Sequence, residues 1–347
     1  MGWKRDALEL LTRTRALFAP SCSHAPNPPR AIFVLRNNGI GDVLLVTPLL
    51  MALRQLYPKA RIVAGVGSWA IDALADNPDV DEVLPVNAPW GNHIALSKSF
   101  SEVTAYLRTA EAARLADGRF DIGIDVLGSW QGSLLLMQAG IPWRLGVRGY
   151  AGGHSAAQSF IEYNSREHVA VAALRFASLL GAKELPEPRP RLGFQPDPHG
   201  AIVFAPGGGY AAKCWPLTNY VALAKKIAPR QIIVVGSEKE RELGAALAEA
   251  GKHVEDRTGA LSLRETLCVI GGSSSVVCNS SMAMHAAAAF KKPCLTLLGA
   301  EFPSAREHAR QWGHPETRVL GREPEHDEIA NPENVFNILT SENLLAR

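Results

Sequence analysis

The sequence contains no run approaching the ~18–20 uninterrupted apolar residues a bilayer-spanning helix requires, and its start lacks the charged-then-apolar order of a secretory leader. A spanning or secreted protein is therefore not expected. Cysteine is scarce: there are five (Cys22, Cys214, Cys268, Cys278, Cys294), an odd number without a C-x-x-C pair. That argues against a disulfide framework or a thiolate zinc site, and it fits a reducing cytoplasm. An excess of one charge sign is missing too, with 36 Lys+Arg against 34 Asp+Glu and a net charge of +2. Neutralising several phosphates of DNA or RNA takes a dense basic face, and no segment supplies one, so nucleic acid is not an expected partner. No G-K-[ST] follows any glycine run, which removes the P-loop.

What is present is an ordinary globular composition, 47% hydrophobic and 20% charged, in 347 residues. That length suits two domains with real cores. The opening segment places Trp3, Ala7, Leu10, Leu11, Leu17 and Phe18 near one helical face, with Lys4, Arg5, Arg13 and Arg15 among the rest. Asp6 and Glu9 dilute the basic face, so an extra helix docked on the body or loose in solution is the preferred reading, and a peripheral membrane-surface helix is the alternative.

After a loose spacer, Ala31–Leu35 reads as a fully buried strand followed by a Gly-rich turn and a helical pattern over Val43–Leu56. Further β-rich runs are Ala60–Val66, Glu82–Val86 and Phe120–Val126, with helical spacing over Phe100–Leu115. Pro186, Pro188, Pro190, Pro196 and Pro198 then exclude helix or central strand, because proline lacks the amide donor. The rhythm restarts with strands at Ala201–Phe204, Ile232–Val235, Ser275–Cys278 and Cys294–Leu298, and with helices near Leu217–Ile227, Glu240–Ala250, Leu263–Ile270 and Met282–Phe290. The expected division is 1–30, helix and spacer; 31–185, a first α/β domain; 186–200, a stiff linker; and 201–347, a second α/β domain. Ligands of such parallel sheets sit beyond the carboxyl ends of the strands, in a cleft fed by the loops that follow them.

Three such loops carry chemistry. Arg36 to Asp42 has the outward look of a dinucleotide fingerprint, but Leu44 stands where a small residue is needed and no ribose-binding carboxylate follows the second strand. What remains is Asp42, either a helix N-cap or a general base at a helix N-terminus that favours its negative charge. In the second loop, Gly207-Gly208-Gly209 expose backbone amides and Lys213 can set an ammonium beside an anion; a flexible turn with a solvated lysine is the plainer account. In the third, Asn279-Ser280-Ser281 open an alanine-rich helix with His285 about one turn inside, which makes an anion site or routine capping beside a packed histidine. Two anion-type loops at one sheet edge together suggest a diphosphate.

These blocks resemble glycosyltransferase family 9, the ADP-heptose heptosyltransferases of lipopolysaccharide core synthesis, from about Ile32 to Leu298. The resemblance rests on R-x-x-x-I-G-D-V-L-L-x-T-P (Arg36 to Pro48), L-x-x-x-Y-P (Leu53 to Pro58), N-P-D-V-D-E-V (Asn77 to Val83), P-G…K-x-W-P (Pro206 to Pro216) and S-S-M-A-M-H-A-A-A-A (Ser280 to Ala289). It implies an α/β GT-B fold, two Rossmann-like domains facing across a cleft, with the acceptor bound by the first domain and the nucleotide sugar by the second.

The resemblance further implies Asp42 as catalytic base. Lys213, Gly208, Gly209, Ser280, Ser281 and His285 would be donor-phosphate contacts, and Glu240 and Leu261 nucleoside contacts. Against the motif D-[ST]-G-x-x-H, Asn279 is placed at the family's Asp, beside the donor sugar, and Ser281 at its Gly. The segment Asp125 to Ser133 lacks the basic residue usual near the acceptor, which leaves Arg144 and Arg148 as acceptor contacts. The implied reaction is an inverting transfer, without metal or other cofactor, from an ADP-sugar to a lipopolysaccharide-core-type glycan or glycolipid at the cytoplasmic face of the membrane. Alternatives are a divergent member with another donor or acceptor, a nucleotide-sugar epimerase, and a silent nucleotide-sugar-binding protein.

Overall fold

The computed structural model describes residues 2–90, 99–325 and 330–342, with side chains from residue 6 onward. The chain divides into two compact units, 1–193 and 194–347. The first holds α1 (Gly2–Ala16), β1 (Ala31–Leu35), α2 (Ile40–Leu44), α3 (Thr47–Leu56), β2 (Arg61–Val66), β3 (Glu82–Pro85), α4 (Phe100–Tyr106), α5 (Ala110–Asp117), β4 (Ile122–Asp125), α6 (Trp130–Gln138), β5 (Trp143–Arg148), β6 (Ser159–Glu162) and α7 (Val169–Leu179). The second holds β7 (Ile202–Ala205), α8 (Leu217–Ile227), β8 (Ile232–Val234), α9 (Arg241–Ala248), β9 (Val254–Asp256), α10 (Leu263–Gly272), β10 (Ser275–Cys278), α11 (Met282–Ala289), β11 (Cys294–Leu297), α12 (Ala305–Trp312), β12 (Thr317–Leu320) and α13 (Pro332–Ser341).

Each unit is built on one six-stranded sheet, ordered β3-β2-β1-β4-β5-β6 in the first and β12-β11-β10-β7-β8-β9 in the second. Every pairing within them is parallel. Counted from the first strand of each unit, both orders are the doubly wound 3-2-1-4-5-6. The winding reverses between β1 and β4 in one unit and between β7 and β10 in the other. Loops leaving adjacent strands at such a point diverge to opposite faces of the sheet and open a crevice at its carboxyl edge. That places the loops after β1 and β4, and those after β7 and β10, where a ligand is held.

The strands that read as continuous apolar runs are buried on both faces, as helices on each side of a parallel sheet require. Ile32, Phe33, Val34 and Leu35 are enclosed, as are Val276, Val277 and Cys278. The pattern over Val43–Leu56 is interrupted: α2 ends at Leu44 and Pro48 enters the first turn of α3, where its missing amide costs nothing. Phe100–Leu115 likewise divides, because Thr109 caps a second helix with its hydroxyl.

The proline-rich segment is tied down on both sides of the division. Arg191 pairs with Asp79 at 3.1 Å and its amide donates to Thr47 Oγ1 at 2.8 Å. Past the division, Phe194 lies against Phe290 and under the Arg264 guanidinium, and His199 Nε2 is 2.8 Å from Val269 O. Helix α1 docks through Leu8 and Ala16 on the cluster that contains Trp130, while Leu10, Leu11, Leu17 and Phe18 face outward. The side chains of Trp3, Lys4 and Arg5 lie outside the described residues.

Candidate functional site

At the carboxyl edge of the first sheet, Gly39 is the extended residue before α2 and no side chain caps that helix. Asp42 is therefore not an N-cap. Its Oδ1 accepts from Arg36 Nη2 at 2.6 Å, in a pair whose side chains are 8% (Arg36) and 17% (Asp42) exposed. A guanidinium held this close fixes the direction of the carboxylate. Around the pair, Asn37 Nδ2 donates to Trp90 O at 3.0 Å and Trp69 Nε1 donates to Asn38 O at 2.9 Å. Asp125, at the end of β4, faces Leu35 in the register and accepts from Ser129 N at 2.8 Å. Burial pushes the Asp125 carboxyl up to about 6, against the pull of the Ser129 and Gly128 amides and the Arg36 charge.

Five buried polar atoms gather here without a partner among the described residues: Arg36 Nε, Asn37 Oδ1, Asn38 Oδ1, Trp90 Nε1 and Asp125 Oδ1. Buried polar groups are ordinarily satisfied, so such a gathering marks a place for water or ligand. Neither Arg36 nor Asp125 carried a role in the sequence reading. The signal for the first is that Arg36 opens the motif that contains Asp42.

The acceptor assignments separate. Arg144 is 1% exposed and donates to Ala156 O at 2.6 Å, Pro20 O at 2.7 Å and Ile141 O at 2.5 Å. It is a strut that closes the chain over β5, and its guanidinium offers no face to an acceptor; that expectation is corrected. Arg148 is half exposed, pairs with Glu162 and lies over the Phe160 ring at 4.4 Å.

In the second unit the glycine loop leaves β7 and is stapled from below by Asn279. Asn279 is 0% exposed; its Nδ2 donates to Pro206 O at 2.5 Å and Gly207 O at 3.2 Å, and its Oδ1 accepts from Trp215 N and Tyr220 Oη, each at 3.0 Å. Those bonds fill the capacity of an amide side chain. Asn279 is therefore an internal brace, and its assignment to the donor sugar is corrected. The motif's own spacing agrees: from Asp to His in D-[ST]-G-x-x-H is five positions, and five back from His285 is Ser280, not Asn279. The acidic position is thus occupied by Ser280 and the glycine position by Met282.

Gly209 has φ +86°, which favours glycine, and a Cβ on Gly207 would collide with the Glu240 carboxylate. Glu240 thus lies against the loop, with its carboxylate accepting from Ser237 N and Oγ at 2.7 and 2.8 Å. A Cβ on Gly208 would come within 2.9 Å of Cys214 Sγ. Leu261, half-buried, precedes the Ser262 cap of α10.

Lys213 ends a short 3-10 turn. Its Nζ lies 5.6 Å from the Tyr210 ring centroid and 5.9 Å from that of Phe302. Among the described residues no carboxylate lies within ion-pair distance of it, so its charge is available to an incoming anion. Ser281 caps α11, its Oγ accepting from Ala283 N at 3.4 Å. Ser280 Oγ is 2.8 Å from His308 Nε2 on α12. The structure thus brings the glycine loop, Lys213, Glu240 and Ser280 to one sheet edge. His285 instead sits in a buried contact with His314, 3.0 Å from Nδ1 to Nε2. The segment after β11, with Phe302 in the loop and His308 on α12, carries no role in the sequence reading, although the rule that ligands sit beyond strand ends applies to it equally. Among the described residues no three His, Cys, Asp or Glu side chains stand together to hold a metal.

A family model described as glycosyltransferase family 9 (heptosyltransferase) matches residues 108–334, a span that includes Lys213 and Ser280 but not Asp42. Lipopolysaccharide heptosyltransferase 2 of Escherichia coli K12 is 27% identical over 302 residues, covering 78% of this chain and 83% of that protein. Among solved structures, E. coli ADP-heptose lps heptosyltransferase II superposes with a TM-score of 0.70 at 22% identity, covering 91% of this chain and 98% of that one. E. coli heptosyltransferase WaaC with ADP gives 0.72 at 18% identity, covering 91% and 99%. At these identities the structural likenesses carry the fold, which is the expected GT-B type.

Proposed function

The chain belongs to glycosyltransferase family 9, and from that membership we propose an inverting, metal-independent transfer of heptose from an ADP-sugar to a hydroxyl of a lipopolysaccharide-core acceptor. The observation that carries this reading is Lys213: a cation with no ion-pair partner among the described residues, on the turn that follows the glycine loop, its charge felt by His308, the partner of Ser280. Such a set of fixed donors suits a leaving diphosphate, whose growing charge it stabilises without a divalent ion. ADP bound to a fold neighbour, and the lipopolysaccharide named for the E. coli relative, support donor and acceptor class.

Asp42 takes the proton of the acceptor hydroxyl as that oxygen attacks the anomeric carbon. Arg36 holds the carboxylate in direction. Lys213, the glycine-loop amides and the Ser280–Ser281 start of α11 receive the leaving diphosphate, Glu240 and Leu261 the nucleoside, and Arg148 the acceptor. Helix α1, with Leu10, Leu11, Leu17 and Phe18 facing outward beside Arg15, supports a peripheral contact with a membrane that carries a glycolipid acceptor, on its cytoplasmic side.

A thermal-shift panel of nucleoside diphosphates and their sugars tests the donor. A ligand at 100 times its Kd stabilises by about 2.7 kcal/mol. ADP and ADP-heptose should give the largest shift. A uridine or guanosine diphosphate in first place would overturn the donor assignment, and turnover of the donor with no acceptor present would favour an epimerase.

A further inference from the structure

Ser280 stands where the family motif carries a carboxylate, and it does not stand alone. Its Oγ lies 2.8 Å from His308 Nε2. His308 is 5% exposed, and its Nδ1 has no partner among the described residues. The segment leading to it is clipped to the Lys213 turn, with Gly299 N donating to Lys213 O and Glu301 N to Ala212 O, each at 3.1 Å. Phe302, from the same segment, lies 5.9 Å from Lys213 Nζ and meets the His308 ring edge-on at 5.0 Å.

Burial, and then the Lys213 charge, hold the His308 imidazole down to about 4, so near neutrality it carries one N–H. If that hydrogen sat on Nδ1, a buried donor would be left with nothing to bond. Placed on Nε2, it donates to Ser280 Oγ and leaves only a lone pair unmatched, the cheaper of the two defects. The Ser280 hydroxyl hydrogen is then free to point away from the histidine. A carboxylate at this position can only accept hydrogen bonds; a serine held this way donates one.

We propose that His308 is a positioning residue that makes Ser280 a hydrogen-bond donor to the diphosphate of the nucleotide sugar, adding a fixed donor to Lys213 and the α11 amides. The assignment rests on the reading of the second unit as the donor site. It makes this chain's hold on the diphosphate stronger, and its hold on sugar hydroxyls weaker, than a carboxylate in the same place would give.

The test is a double-mutant cycle on the full chain, with ADP and ADP-glucose affinities measured by calorimetry for wild type, S280A, H308A and the double variant, plus H308Q. Hydrogen bonds to charged groups are worth enough that each single variant should weaken ADP about tenfold. The double variant should also lose only about tenfold, because one relay is being cut twice. H308Q, which keeps a side-chain N–H, should return to within about threefold of wild type. Should H308A fail to fold, H308N, too short to reach Ser280, takes its place in the cycle. Unchanged ADP affinity in H308A, or losses that multiply to about a hundredfold, would overturn the relay while leaving the donor site standing. If wild type binds neither ADP nor ADP-glucose, the functional reading falls and the relay with it.

Discussion

The two units share one strand order and one kind of edge, yet they treat charge in opposite ways. In the first, the carboxylate is answered from within its own loop, Asp42 by Arg36 at 2.6 Å, and several buried polar atoms around the pair have no partner among the described residues. In the second, the Asn279 brace is satisfied to the last lone pair, and Lys213 has no ion-pair partner among the described residues. A leaving diphosphate has a fixed charge and a known shape, so a rigid cradle with charge to spare costs no reorganisation when it binds. A carboxylate proposed as a base has to be aimed, which an adjacent guanidinium does. On the proposed mechanism, the contrast is between a group that moves a proton and a group that holds an anion.

Substitution at the two centres tests the contrast most sharply. Asp42→Asn should lower kcat by about 10³, within the range for a general base, while ADP affinity stays within about twofold in calorimetry. A large loss of ADP binding would make Asp42 a structural residue instead. Lys213→Ala should cost 10²–10³ in kcat/KM, about 3–4 kcal/mol of transition-state stabilisation, and should weaken ADP as well. Survival of kcat/KM within a few-fold would remove Lys213 from the mechanism.

The braces come next. Asn279→Ala leaves Trp215 N, Tyr220 Oη, Pro206 O and Gly207 O unpaired in a site shielded from water. Several buried groups losing partners at once should cost about 3 kcal/mol of stability, read by denaturant unfolding. A loss below about 1 kcal/mol would mean the glycine loop is held elsewhere.

Asp125 gives the first unit a pH signature. Its carboxyl is held up at about 6, mainly by burial, against about 3.9 in an unfolded chain. A group raised in the folded state contributes stability that is fully present below the unfolded value and lost as pH rises through the folded one. Measured against Asp125→Asn, wild-type stability should therefore fall by roughly 2–3 kcal/mol between about pH 4 and pH 7. A flat difference across that range would show that the carboxyl is not held in its neutral form.

Much of this contrast can be read from the sequence, for reasons that also mark where reading stops. The strands β1, β7, β10 and β11 announce themselves as short apolar runs because helices cover both faces of the sheet. The strands β5, β6, β9 and β12 do not: β5 carries Trp143, Arg144 and Arg148, and β9 is three residues at a sheet edge. Helix α6 is buried nearly all round, which erases the amphipathic period by which a helix is recognised. The candidate site loops are legible because glycine clusters mark unusual backbone. His308 is not, since it lies 28 positions beyond Ser280 and it is tertiary structure, the β10–β11 pairing included, that brings them together. Asn279 misleads because an amide beside serines looks the same in sequence whether it faces a sugar or the core.

Arg144 and Arg148 bring the same lesson down to a single strand, and here the smallest effect is expected. Both are arginines on β5, yet one is enclosed by carbonyls while the other shares a half-exposed ion pair with Glu162. Exposed pairs contribute about 0–1 kcal/mol, so Arg148→Ala should leave unfolding stability within about 1 kcal/mol of wild type. If Arg148 meets the acceptor, the same variant should raise the acceptor KM several-fold with the donor KM unchanged, since a cation that binds an acceptor has no contact with the nucleotide. An unchanged acceptor KM would remove Arg148 from the acceptor site, and the acceptor contacts would then have to come from the loop around Arg36, Asn37 and Asn38, where buried polar atoms lack partners among the described residues.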